Sequence, residues 1–158
     1  MAVYESALRS FHAALASAPP VGFVSSSTFK VGDSYSDWYL VESSAALDVL
    51  NAAAVSGTRT PAHDTAARMA ADGVGKLYGL VSGEPPAGSG FEIQFSKPAG
   101  LAYADHYERL RPYSGGPGVS LWRRMMVLGP PPEFCLLAPA VIELPHEYRP
   151  EVLRRDPI

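Results

Sequence analysis

The feature that most constrains this chain is an order of elements that occurs twice. Tyr4, Leu8 and Phe11 fall at helical spacing and precede a strand-like run at 23–31, a turn glycine at Gly32 and an apolar run at 38–41. Tyr103, Tyr107 and Leu110 then precede a run at 121–128, Gly129 and a second apolar run at 134–137. Gly32 and Gly129 are 97 residues apart, and the strands before them align without a gap. After the turn the offset falls by one residue. Such a chain is expected to fold as α+β, with a helix covering an antiparallel hairpin in each half.

The remaining segments fill in around this repeat. Leu15 extends the first apolar face and Glu5, Arg9 and His12 lie off it, while Pro19-Pro20 ends the helix. Ser43 or Ser44 can cap a helix through Leu47, Leu50 and Ala54, with Gly57 beyond its end. Thr60-Pro61 reads as cap and first position of an alanine-rich helix over 62–71 that ends at Gly73. Residues 76–82 form a short apolar strand candidate, and 83–90 is a Gly/Pro/Ser-rich linker. Phe91, Ile93 and Phe95 alternate with polar residues, the pattern of a half-buried strand. A helix over 101–111 is closed by Pro112, and strands at 119–128 and 134–142 flank a stiff turn at 129–132. Pro145, Pro150 and Pro157 keep the tail from forming a long helix, so it is expected to wrap over the surface. The expected organisation is a first half at 1–82, the linker 83–90 and a second half at 91–158.

Composition bounds the function classes. Hydrophobic residues are 47% and charged residues 18% of the 158, enough for a packed core. The formal net charge of -3 removes a global cationic field, so neither nucleic acid nor an anionic membrane surface is an expected partner. No apolar run approaches the roughly 20 residues that span a bilayer, and the first residues lack a basic stretch followed by an apolar core. A cytoplasmic location is the resulting expectation. One cysteine, Cys135, lies in an apolar run and reads as a buried, inert thiol.

The repeated helix–strand–turn–strand order, with a strand at 91–95 opening the second copy, resembles the dimeric α/β-barrel superfamily. The resemblance covers about residues 4–142 and is one of architecture. It implies two ferredoxin-like halves in tandem, their antiparallel sheets forming a barrel-like or sandwiched unit with helices outside. A plain two-layer sandwich of helices on an antiparallel sheet satisfies the same pattern.

Motifs for chemistry are few. His12, His63, His106 and His146 stand in no metal-ligand spacing, so no metal site is expected. Gly73-Val74-Gly75 opens like a dinucleotide fingerprint, but Tyr78 takes the third glycine's place and a strand follows instead of a helix. Two features survive. In the run 122–126, alternation sends Arg123 to one face with Leu121 and Met125, and Arg124 to the other with Trp122 and Met126. One guanidinium therefore shares apolar surroundings and needs a partner, a wet cavity or an anion, unless both heads reach water from an edge strand. The second is a helix bearing Tyr103, His106 and Tyr107. Ser25, Ser26 and Ser27 either open space for a ligand or face solvent.

These residues yield three readings. The first is a binding protein for a small, partly apolar or anionic ligand, using Trp38, Tyr39, Tyr103, Trp122, Arg123 and Arg124. The second, implied by the superfamily resemblance, is a small oxygenase, a haem-associated enzyme or an isomerase with His106 as acid–base group or haem ligand. The third is a non-enzymatic assembly module. Sheet edges left open would favour a homodimer.

Overall fold

A computed structural model of the chain describes residues 2–85, 90–125 and 131–158. The protein is α+β and divides into two compact units, Met1–Gly73 with Pro157–Ile158, and Val74–Asp156.

The first unit begins with helix α1 (Ala2–Ser17), whose Ala7, Leu8, Phe11 and Leu15 are buried at the expected helical spacing. Strands β1 (Phe23–Val31) and β2 (Ser34–Val41) follow as an antiparallel hairpin closed between Val31 and Ser34. Gly32 at the turn has φ +57°, a conformation glycine adopts without a Cβ clash. Helix α2 (Ala46–Ala54) lacks the expected hydroxyl cap. Its first amide groups bond to the backbone carbonyls of Ser43 and Ser44, so those serines act through the main chain. Helix α3 (Thr60–Ala67) has Pro61 in its first turn but is shorter than the expected 62–71. Only Ala66 on it is buried, and residues 69–71 are exposed, so further turns would bury nothing. Thr60 is not its cap; the hydroxyl donates to the Val55 carbonyl at 3.2 Å. Arg59 ties the ends of two helices, donating to the carbonyls of Ala53 and Ala18.

The second unit contains β3 (Tyr78–Gly83), β4 (Phe91–Phe95), helix α4 (Tyr103–Ser114), β5 (Ser120–Arg124), β6 (Phe134–Ala138) and β7 (Glu151–Arg154). These strands form one sheet in the order β3-β5-β6-β4-β7, with every neighbouring pair antiparallel. A last short strand, β8 (Asp156–Pro157), lies beside β1, making a second sheet of order β2-β1-β8. Both described sheets are open. Ile93, Phe95, Leu110, Leu121, Phe134 and Leu136 form the buried core between α4 and its sheet.

Three expectations about this unit change. The strand expected over 134–142 ends at Ala138, before Pro139. Helix α4 runs past Pro112 to Ser114, with the proline inside its last turn. The tail does not simply wrap the surface. Residues 146–148 make one tight helical turn that buries Tyr148, and the proline-free 151–154 pairs with β4 as an outer strand. The expected strand residues 126–128 and the turn residues 129–130 lie outside the described residues.

Gly83 ends β3 at φ +82°, and a Cβ there would stand 2.1 Å from the Val119 carbonyl oxygen. Gly83→Ala should therefore destabilise the protein by about 2 kcal/mol or more, from backbone strain and a main-chain clash. Urea unfolding checks this; a loss within about 0.5 kcal/mol, the usual surface range, would show that β3 and β5 do not hold this register.

Candidate functional site

Chemistry in the first unit concentrates on one face of the β1–β2 hairpin. Side chains two apart on a strand share a face, so Ser26 and Thr28 point together, opposite their cross-strand partners Tyr39 and Asp37. Helix α1 lies on this face and inserts His12. Its Nδ1 is 2.7 Å from the Ser26 hydroxyl and its Nε2 is 2.5 Å from the Thr28 hydroxyl. The Asp37 carboxylate stands 3.6 Å from the same Nε2. The imidazole stacks on the Tyr39 ring, with centroids 5.3 Å apart and planes 15° apart. Nearer the helix start, the Tyr35 hydroxyl donates to Glu5 at 3.0 Å, and the Tyr4 and Tyr35 rings meet edge to face. His12 and Glu5, which helical spacing set off the apolar face, thus fasten the helix to the hairpin.

Beside this polar seam is a cleft of about 280 Å³. Tyr4, Leu8 and Phe11 of α1 form one wall, and Asp37 and Tyr39 of β2 form the floor. Leu50, Asn51 and Ala54 of α2 and His63, Ala66 and Ala67 of α3 close the other sides, with Ala70 beyond. Alanines on the short helices leave the space that larger side chains would fill. Phe11 packs its ring edge-on against His63 and Tyr39. His63 is tied to Asp64 at 3.1 Å, and among the described residues Asp37 is the one carboxylate lining the space. Burial, reinforced by the nearby Asp37 charge, pushes the Tyr39 hydroxyl far above the ordinary tyrosine value, so it stays a neutral donor and acceptor. The volume lies just below the usual range of ligand pockets, roughly 300–1,000 Å³, and suits a small ligand. The arrangement can bind: apolar walls, a few convergent polar groups and one charge.

Among the residues the sequence singled out, Tyr39 lies in this cleft. Trp38 precedes it on β2 and, by strand alternation, faces the other side of the hairpin. The others belong to the second unit. Tyr103 and Arg123 come together: the guanidinium lies 4.3 Å from the Tyr103 ring centre, and both groups hold Glu133, at 3.2 Å from Arg123 Nε and 2.7 Å from the Tyr103 hydroxyl. Lys97 stacks on the same ring at 5.2 Å. Arg123 has its anion in Glu133, at a site 40% exposed. Trp122 is buried and its indole donates to Ser120 at 2.8 Å. Arg124, on the opposite face from Arg123, is half-buried beside Tyr78 across the ladder. That face also carries Glu92, which accepts from Gln94 at 2.6 Å and pairs with the buried Arg155 at 3.9 Å. Cys135 is wholly buried there, and burial raises its thiol well above the ordinary range.

The sequence reading missed His12, Asp37, Asn51 and His63. A signal was present. A two-residue turn at Gly32-Asp33 sets Thr28 against Asp37 and Ser26 against Tyr39, which marks Ser26 and Thr28 as one polar face. Among the described residues no group of three or more His, Cys, Asp or Glu side chains is placed to hold a metal ion, and no helix is long and apolar enough to cross a membrane. The chain matches no family model, no curated protein and no solved structure.

His106 occupies the core of the second unit. It is 0% exposed, with the rings of Phe95, Tyr107, Phe134 and Tyr148 around it. Neither ring nitrogen has a hydrogen-bond partner among the described residues. Burial, with Lys97 acting in the same direction, lowers its pKa from 6.5 to about 4. Acting as a base or a haem ligand would require this aromatic shell to open. Because the folded state resists a proton that the unfolded chain accepts, stability should fall as pH drops from about 6.5 towards 4, by roughly 3 kcal/mol. His106→Phe should flatten that part of the pH–stability curve, measured by denaturant unfolding at pH 7, 6, 5 and 4.5. An unchanged slope would mean the ring is protonated in the folded protein.

Proposed function

We propose that the protein binds a small, partly apolar ligand in the cleft of the first unit. The observation that carries this reading is the cleft itself. A space bounded by Leu8, Phe11, Leu50 and alanines meets Asp37, Tyr39 and Asn51 within one compact unit. A module that served assembly alone would have no use for alanine-walled space beside a carboxylate. The enzyme reading rests on His106 reaching a ligand, and its enclosure lends more support to binding.

We infer as well that both units follow a ferredoxin-like plan. Around α4, the strand order β5-β6-β4-β7 is what a ferredoxin-like unit has when its second helix is reduced to the turn at 146–148. In the first unit, α1, β1 and β2 repeat the order of α4, β5 and β6. The outer neighbour of β1 is the chain-terminal β8, and the outer neighbour of β5 is β3, the strand that follows the first set of helices. This reciprocity supports a tandem origin.

The binding reading is tested with Ala67→Trp. Ala67 is an exposed residue of α3 that lines the cleft, so the larger ring should fill the space without cutting into the core. In a ligand-observed NMR screen of neutral aromatic and aliphatic fragments, the wild type should bind several, and those should be lost in the variant. No binding by the wild type, or the same fragments bound by both proteins, would overturn the proposal.

A further inference from the structure

We propose that the ligand of this cleft is an organic cation, an amine carried on an aromatic or branched apolar body. This inference rests on the cleft being a binding site and names the chemistry that site selects.

Three observations converge on a cation. First, among the described residues Asp37 is the only carboxylate lining the space, and no lysine or arginine lines it. Its side chain is 29% exposed, so it is partly desolvated yet reachable. An anionic ligand would face the carboxylate with no compensating positive charge, whereas an ammonium would gain a charge-assisted hydrogen bond. Second, the same space is lined by the rings of Tyr4, Phe11 and Tyr39. Aromatic faces attract cations, and a carboxylate among several rings is the composition that recognises amines. Third, His12, the basic side chain beside Asp37, is engaged elsewhere. His12 Nε2 is 3.6 Å away, but that nitrogen is also 2.5 Å from the Thr28 hydroxyl, while Nδ1 is engaged with Ser26. Both ring nitrogens are thus engaged with hydroxyls, and at 3.6 Å Nε2 makes no hydrogen bond to the carboxylate, which stays open to an incoming ammonium. His63, the other basic side chain lining the cleft among the described residues, is held by Asp64 at 3.1 Å.

The test uses three probes that share one body and differ at the head: 2-phenylethylamine, 2-phenylethanol and phenylacetate. Each is titrated into the ¹⁵N-labelled full chain of wild type, Asp37→Asn and Ala67→Trp, following amide shifts of the cleft residues. The amine should bind wild type at least tenfold more tightly than the alcohol, and phenylacetate should leave the cleft amides unmoved. Asp37→Asn should bring the amine down to the level of the alcohol, and Ala67→Trp should abolish the shifts from both. Amine and alcohol binding equally to wild type and to Asp37→Asn, with both lost in Ala67→Trp, would overturn the cation assignment and leave the cleft as a binding site. Preference for phenylacetate would overturn the assignment outright. No shift from any probe, or equal binding in Ala67→Trp, would overturn the cleft reading together with the assignment. If Asp37→Asn does not fold, the wild-type ranking of the three probes decides alone.

Discussion

Everything proposed for the first unit depends on the register of one β-hairpin. Closing β1 and β2 across Gly32-Asp33 pairs Thr28 with Asp37 and Ser26 with Tyr39, and the pleat puts all four on the face that α1 covers. A slip of one residue would turn that set to the other side, and Trp38 and Ser27 would meet the helix instead. The register is held from both layers. The hairpin turn fixes it within the sheet, and His12 reads it from the helix, one ring nitrogen on each hydroxyl. Each of these polar groups lies where an unmatched partner would cost about 1–3 kcal/mol, so the seam favours one alignment over its neighbours.

From that register the cleft follows. With α1 seated by His12 and by Glu5 on Tyr35, its Phe11 and Leu8 form a wall over Tyr39 and Asp37. The opposing helices are short, and Arg59 holds their approach by donating to carbonyls at the ends of α1 and α2. Alanine at 54, 66, 67 and 70 keeps the gap from filling. The second unit is built by other means. Its sheet packs one face on α4 around Ile93, Phe95 and Phe134, while the other carries a buried pair, Glu92 and Arg155, alongside Trp122 and Cys135. Such a pair seldom adds net stability, but removing one partner would strand the other charge.

Much of the fold could be read before any coordinates. Periodicity located α1 from Leu8, Phe11 and Leu15, and alternation located β4 from Phe91, Ile93 and Phe95, because each pattern states which face is buried. What it could not read depended on contacts distant in sequence. The tail strand at 151–154 is short and carries a mixed pattern, and it exists because β4 offers an open edge. Helix α3 stops at Ala67 because nothing lies beyond it to be covered, which its alanine-rich composition does not reveal. Proline at 112 looked like a stop and proved tolerable in a final turn.

The site was less legible than the fold, for a similar reason. Tyr103 and Arg123 were singled out for their types, and the structure does join them, but around Glu133, which lies 30 residues from Tyr103 in sequence. His106 looked like chemistry on a helix face and is instead a core residue among four rings. The groups that line the cleft, Asp37, Asn51 and His63, form no motif. They come from three elements and acquire meaning only when the hairpin register and the helix seating are both known. A serine-rich strand opposite Asp37 and Tyr39 was the one local trace of it.

The central claim, that Asp37 and the rings around it form a site for an organic cation, is met most directly by crystallography with 4-bromophenethylamine soaked into crystals of the full chain. An anomalous difference map, phased from the protein alone, locates the bromine without a preconceived ligand geometry. The account predicts a bromine peak between α2 and α3 within the cleft, with the amine reaching the Asp37 carboxylate at hydrogen-bond distance. A peak elsewhere on the protein, or a cleft without bromine in crystals whose lattice leaves it open, would contradict it.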